Sequence, residues 1–130
     1  MIEFHLDPSS GVATYLQIVQ QVREALRLGV LDVGDQLPTV REVVADLAIN
    51  PNTVAKAYRD LEREGLVVAR QGRGTFIASS LATPSLHHHE PLRVQLERWL
   101  ETARSAGLDE ESIRALISAT LREARIRSVA

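Results

Sequence analysis

The stretch that decides the fold is Thr39-Val40-Arg41-Glu42-Val43-Val44-Ala45-Asp46-Leu47-Ala48-Ile49-Asn50-Pro51-Asn52-Thr53-Val54-Ala55-Lys56-Ala57-Tyr58-Arg59-Asp60-Leu61-Glu62-Arg63-Glu64-Gly65. Thr39 to Glu42 has the form of a capping box, in which a hydroxyl caps a free amide and a carboxylate three residues on reaches back. Val40, Val43, Val44 and Leu47 follow at i, i+3, i+4 and i+7, which predicts a short helix with one apolar stripe. Asn50-Pro51 then opens a second helix, because Asn caps free N–H groups and Pro at the first helical position gives up a donor that had no partner. Its apolar face is Val54, Ala57, Tyr58 and Leu61, and Gly65 supplies the left-handed stop. A tight turn of about three residues separates the two helices, the spacing of a helix-turn-helix.

Upstream, the segment from Val30 to Pro38 holds Gly34, Asp35 and Pro38, so the chain reverses there. Before it, Thr14-Tyr15-Leu16-Gln17 also has the capping-box form, and Tyr15, Ile18, Val19, Val22 and Leu26 recur at helical spacing until Gly29. Residues 2–7 alternate apolar and polar, which suits an edge strand or an extended arm. Downstream, the β-prone runs Leu66 to Arg70 and Thr75 to Ala78 flank Gln71-Gly72-Arg73-Gly74, a short hairpin.

Ser79 to Pro91 has no period and reads as a linker containing His87-His88-His89. Beyond it, Leu92, Leu96, Trp99, Leu100 and Ala103 form a helical stripe, Gly107 breaks it, and Asp109 is placed to cap a second helix bearing Ile113, Leu116, Ile117, Leu121 and Ala124. Two short helices cannot bury both apolar faces alone, so they require the first domain or a second copy. The expected fold class is mostly α with a small β-hairpin (α+β). An N-terminal winged helix-turn-helix occupies 1–80, a linker 81–91, and a two-helix dimerisation hairpin 92–130.

At 130 residues the chain has room for a modest core and not for a large catalytic cleft. No apolar run is long enough to span a bilayer, and Met1 to Pro8 lack the basic and apolar regions of a signal peptide. There is no cysteine, which removes disulfides, thiolate zinc sites and thiol nucleophiles, and a cytoplasmic address is expected. The net charge of −2 gives no bulk sign of a nucleic-acid partner. What matters is therefore where the positive charges sit.

They sit well for DNA. On the second helix of the motif, the side away from Val54, Tyr58 and Leu61 carries Asn52, Thr53, Lys56, Arg59 and Arg63, and its N-terminal turns are those that reach base edges in the major groove. Arg41, at the start of the preceding helix, suits a phosphate contact. Arg70 and Arg73 lie in a stretch free of acidic residues, where Gly72 and Gly74 allow close backbone approach to a groove. The candidate DNA contacts are Arg41, Asn50, Asn52, Thr53, Lys56, Arg59, Arg70, Gln71, Gly72, Arg73, Gly74 and Thr75.

Other chemistries fit less well. Gly72-Arg73-Gly74 is followed by neither the Gly-Lys-Ser/Thr nor the helix of a phosphate loop. Adjacent histidines at 87–89 cannot all converge on one ion, although a metal-responsive sensor or adaptor built on them is the alternative reading. No nucleophile elbow or His-Glu-x-x-His motif is present, so neither an enzyme nor a cofactor is expected.

Gly34 to Glu42, Asn50-Pro51-Asn52-Thr53-Val54-Ala55-Lys56-Ala57-Tyr58, Leu61-Glu62, Glu64-Gly65 and Gly72-Arg73-Gly74-Thr75-Phe76 together resemble the GntR family of bacterial repressors, and the Asn-Pro-Asn-Thr-Val-x-Lys-x-Tyr form resembles its YtrA subfamily. The resemblance implies that Arg41 is a DNA-contacting arginine, that Asn52 and Thr53 begin the recognition helix, and that Gly72 enters the minor groove. It further implies a homodimer on a near-palindromic double-stranded operator. Leu92, Leu96, Trp99, Leu100, Ile113, Leu116, Ile117 and Leu121 would form the dimer interface, and any small-molecule effector would bind there. Pro51 and Ala55 stand where other branches of the family often carry arginines.

Overall fold

The computed structural model describes residues 2–82 and 89–129. Helices α1 (Thr14–Arg27), α2 (Val40–Leu47) and α3 (Pro51–Arg63) lead into strands β1 (Val67–Arg70) and β2 (Gly74–Ile77), and helices α4 (Glu90–Ser105) and α5 (Glu110–Val129) follow. The chain divides into two compact units, residues 1–87 and 88–130.

In the first unit the three helices and the hairpin enclose one apolar core. Ile18, Val22 and Leu26 of α1, Val43 of α2, and Val54, Ala57 and Leu61 of α3 are buried, together with Leu37 and Ile77. These are the stripes that helical periodicity marks, because residues three and four apart share a face. The capping box on α2 forms as expected, with the Glu42 amide donating to Thr39 Oγ1 at 3.1 Å and the Thr39 amide to Glu42 Oε1 at 3.3 Å. Asn50 caps α3 by accepting from the Asn52 amide at 2.8 Å. Between the two helices Ala48 has φ 54 and ψ 45, a left-handed conformation rare for a residue with a Cβ.

The start of α1 differs from the sequence expectation. Ala13 is the N-cap and makes no side-chain cap, Thr14 is the first helical residue, and Gln17 closes no capping box. Gln17 is instead buried, with Oε1 accepting from the Asp7 amide at 2.8 Å and Nε2 donating to the carbonyls of Asp7 and Val12 at 3.0 and 2.9 Å. A buried carboxamide must be satisfied, and the N-terminal arm supplies the partners. Gln21 makes a second clamp, exchanging hydrogen bonds with the backbone of His5. Residues 2–7 thus form an arm held on α1, with Phe4 in the core and no strand pairing.

The hairpin is antiparallel, with Val67 opposite Ile77 and Arg70 opposite Gly74. Its outer edge is covered by the loop before α2. Leu37 donates to Thr75 O, Gly34 donates to Ile77 O, Ile77 donates to Asp35 O, and Gln36 forms a single bridge with Phe76. The loop is thereby a third, one-rung strand, a role that turn residues alone do not announce.

In the second unit, α4 and α5 are joined through Gly107, whose φ of 93 fits the expected break. Glu90 and Pro91, read as linker, belong to the first turn of α4. The Ser112 amide donates to Asp109 Oδ1 at 2.8 Å, and the hydrogen bonds from Ser112 hold the Asp109 carboxyl below its ordinary range. Ala103 and Ile113 are buried near the turn, Trp99, Leu100 and Ile117 are half-buried, and Leu92, Leu96, Leu116 and Leu121 are exposed. The two helices leave much of their apolar stripes open.

Candidate nucleic-acid interface

Four residues, Gln36 to Thr39, fasten the three parts that a winged helix-turn-helix needs. Gln36 Nε2 donates to the carbonyl of Arg73 in the hairpin turn at 3.1 Å. Leu37 is buried and donates to Thr75 O at 2.9 Å. Pro38 O accepts from the Tyr58 hydroxyl of α3 at 2.6 Å, and Thr39 caps α2. Wing, second helix and third helix are therefore tied to one short segment. Burial, and then the Glu42 carboxylate, push the Tyr58 hydroxyl well above its ordinary pKa, so it stays protonated and remains a donor. Sequence reading marked Tyr58 only as an apolar stripe residue; its hydroxyl, in an otherwise apolar face, was the available signal of a buried partner.

The expected contact residues fall into three groups on this frame. Asn52, Lys56 and Arg59 are exposed on α3, and Thr53 is half-buried. Asn50 is exposed as well, but its side-chain oxygen is engaged in the cap. Arg41 is exposed in the first turn of α2 and forms no ion pair among the described residues. Arg70, Gln71, Gly72 and Arg73 are exposed at the hairpin turn, while Gly74 and Thr75 are half-buried in β2.

Two cations lie against rings. Lys56 Nζ is 3.9 Å from the centroid of the Tyr15 ring on α1, and the Arg70 guanidinium carbon is 5.6 Å from that of Phe76. Tyr15 is thus drawn into the polar surface of α3, although helical spacing marked it only as an apolar position. Gly74 has φ 123, a backbone conformation that demands glycine, and a Cβ there would lie 2.7 Å from Gln36 Nε2, the end of an exposed side chain that can swing aside at the cost of its hydrogen bond to Arg73 O. Gly72, with φ 75, faces open space.

Of the histidine run, His87 and His88 lie outside the described residues; His89 precedes α4 without a side-chain cap. Among the described residues no three ligand side chains gather in a metal-binding cluster. No described helix is long and apolar enough to cross a membrane.

A three-helix core with a tight turn before α3, followed by a two-stranded wing, defines a winged helix-turn-helix protein. Residues 14–77 match the family described as bacterial regulatory proteins, gntR family, and the chain belongs to the GntR family. It is 38% identical over 109 residues to the HTH-type transcriptional repressor YtrA of Bacillus subtilis (strain 168), covering 83% of this chain and 84% of that protein. Among solved structures it is similar to YtrA from Sulfolobus acidocaldarius, a GntR-family transcription factor, at 35% identity and a TM-score of 0.54 over 75% of this chain and 97% of that one. The AraR DNA-binding domain in complex with operator ORX1 is similar at 27% identity and a TM-score of 0.51, over 58% of this chain and 93% of that one.

Proposed function

We propose that the protein is a dimeric, sequence-specific transcriptional repressor that reads a near-palindromic operator. The carrying observation is the exposed polar surface of α3, opposite a fully buried stripe and fixed to α2 and the wing through Gln36 to Thr39. In this reading Asn52, Thr53 and Lys56 face base edges in the major groove, Asn50 and Arg59 lie beside them, and Arg41 holds a phosphate. Arg70 to Thr75 form the wing on the neighbouring groove, with Gly72 closest to the DNA. The repressor named YtrA, similar over most of both chains, supports a repressor over an activator.

Dimerisation falls to the second unit. Leu92, Leu96, Leu116 and Leu121 are exposed there, and a second copy would cover them beside Trp99, Leu100 and Ile117; Ile113, expected in the same interface, is already buried in the single chain and offers it no surface. The two recognition helices would then meet half-sites at least one helical turn apart. Its targets are its own operon and neighbouring transporter genes, it acts in the cytoplasm without enzymatic activity, and an effector would bind at the dimer interface. Enrichment from a randomised duplex library tests the proposal: a two-fold repeat is the expected product, and a pool with no enriched sequence contradicts it.

A further inference from the structure

Lys56 is the sole lysine of the chain; the other 14 of its 15 basic residues are arginine. It is exposed on α3, yet its ammonium is 3.9 Å from the centre of the Tyr15 ring. Among the described residues no carboxylate forms an ion pair with it, so the ring face is its one close electrostatic partner. Tyr15 is half-buried and packs against the core, which fixes its ring relative to α3. A flexible four-carbon chain ending in a point charge is thereby biased towards the pose over the ring.

We infer that Tyr15 is a specificity-determining positioning residue, whose ring holds the Lys56 ammonium where it reads a base edge. This rests on the reading of α3 as the recognition helix. An unrestrained lysine reaches phosphates and several base edges alike, because its ammonium donates in any direction. Biased towards the ring, it takes less often the poses that serve non-cognate DNA and keeps a short reach from α3. Loss of the ring would then reduce discrimination between sequences more than affinity for duplex DNA in general. The expected size is about two- to fivefold, the strength of a cation–π contact at an exposed site.

Full-length protein and the duplex it selects from a randomised library provide the test. Lys56→Met identifies the base pair at which discrimination depends on the lysine. Tyr15→Leu is expected to lose discrimination at that same base pair, Tyr15→Phe to keep it, and Tyr15→Leu with Lys56→Met to be no worse than Lys56→Met alone. With isotope-labelled lysine the single set of ε-methylene NMR signals should be shifted upfield by the ring and return to the free position in Tyr15→Leu. Should Tyr15→Leu fail to fold, fluorinated phenylalanines at position 15 weaken the ring's attraction at constant shape, and discrimination should fall with each added fluorine. Unchanged discrimination in Tyr15→Leu or along the fluorine series, with Lys56→Met impaired, overturns the inference and leaves the base-reading role of Lys56 intact. Tighter operator binding by Tyr15→Leu also overturns it, because the ring would then be sequestering the lysine. Full discrimination in Lys56→Met overturns both.

Discussion

The Tyr58 hydroxyl donates to the carbonyl oxygen of Pro38 at 2.6 Å, a buried hydrogen bond that joins α3 to the residue just before the cap of α2. Removing the hydroxyl leaves a carbonyl with no replacement partner, so Tyr58→Phe should destabilise the protein by about 1–3 kcal/mol in urea denaturation. The same residue sets an alkaline limit. Its pKa is raised by folding, so the folded state holds its proton more tightly than the unfolded state. That stability is fully present below about pH 10, the ordinary tyrosine value, and declines as pH rises beyond it. Tyr58→Phe should show a flatter decline over that range, and an unchanged slope would remove the hydrogen bond from this role.

Gly72 and Gly74 look equivalent in sequence and differ in structure. Gly74→Ala places a Cβ against Gln36 at φ 123, whereas Gly72→Ala meets no neighbour at φ 75. Left-handed backbone alone costs about 1–2 kcal/mol for alanine, so Gly72→Ala should fall near that value and Gly74→Ala clearly above it. Equal melting temperatures for the two variants would show that neither the wider φ at Gly74 nor displacement of the Gln36 side chain carries a cost.

The turn of the motif carries the opposite situation. Ala48 adopts φ 54 with a Cβ present, and Ala48→Gly should relieve strain and stabilise the protein by about 0.5–1 kcal/mol. A destabilised variant would show that the alanine methyl contributes packing exceeding its backbone cost.

Much of this was legible in the sequence, and the limits have physical causes. The stripes of α1 and α3 and the caps Thr39 and Asn50 are local features, set by residues within one helical turn of each other. Gln17 fits a capping box in sequence, and only the arm of residues 2–12 makes it a buried carboxamide instead. The single bridge at Gln36 has no local signal, because its partner, Phe76, lies forty residues away. Lys56 was recognisable as a contact candidate, but its ring partner on α1 is likewise a tertiary fact.

Leu96 and Leu121 are 52% and 67% exposed in the single chain, on the stripes that the proposed dimer would cover. Leu96→Glu and Leu121→Glu should shift the protein towards monomer in sedimentation experiments and weaken operator binding without unfolding the first unit. Undiminished self-association in the double variant would place the dimer contact elsewhere.

The most direct measurement is a titration of the selected duplex and a scrambled duplex of equal length at physiological salt, with wild type and Arg41→Ala in parallel. Wild type should prefer the selected duplex by at least about a thousandfold, and Arg41→Ala should lose about 1–3 kcal/mol on it, with a shallower salt dependence. Equal wild-type affinity for the two duplexes would contradict sequence-specific recognition by α3 and its wing.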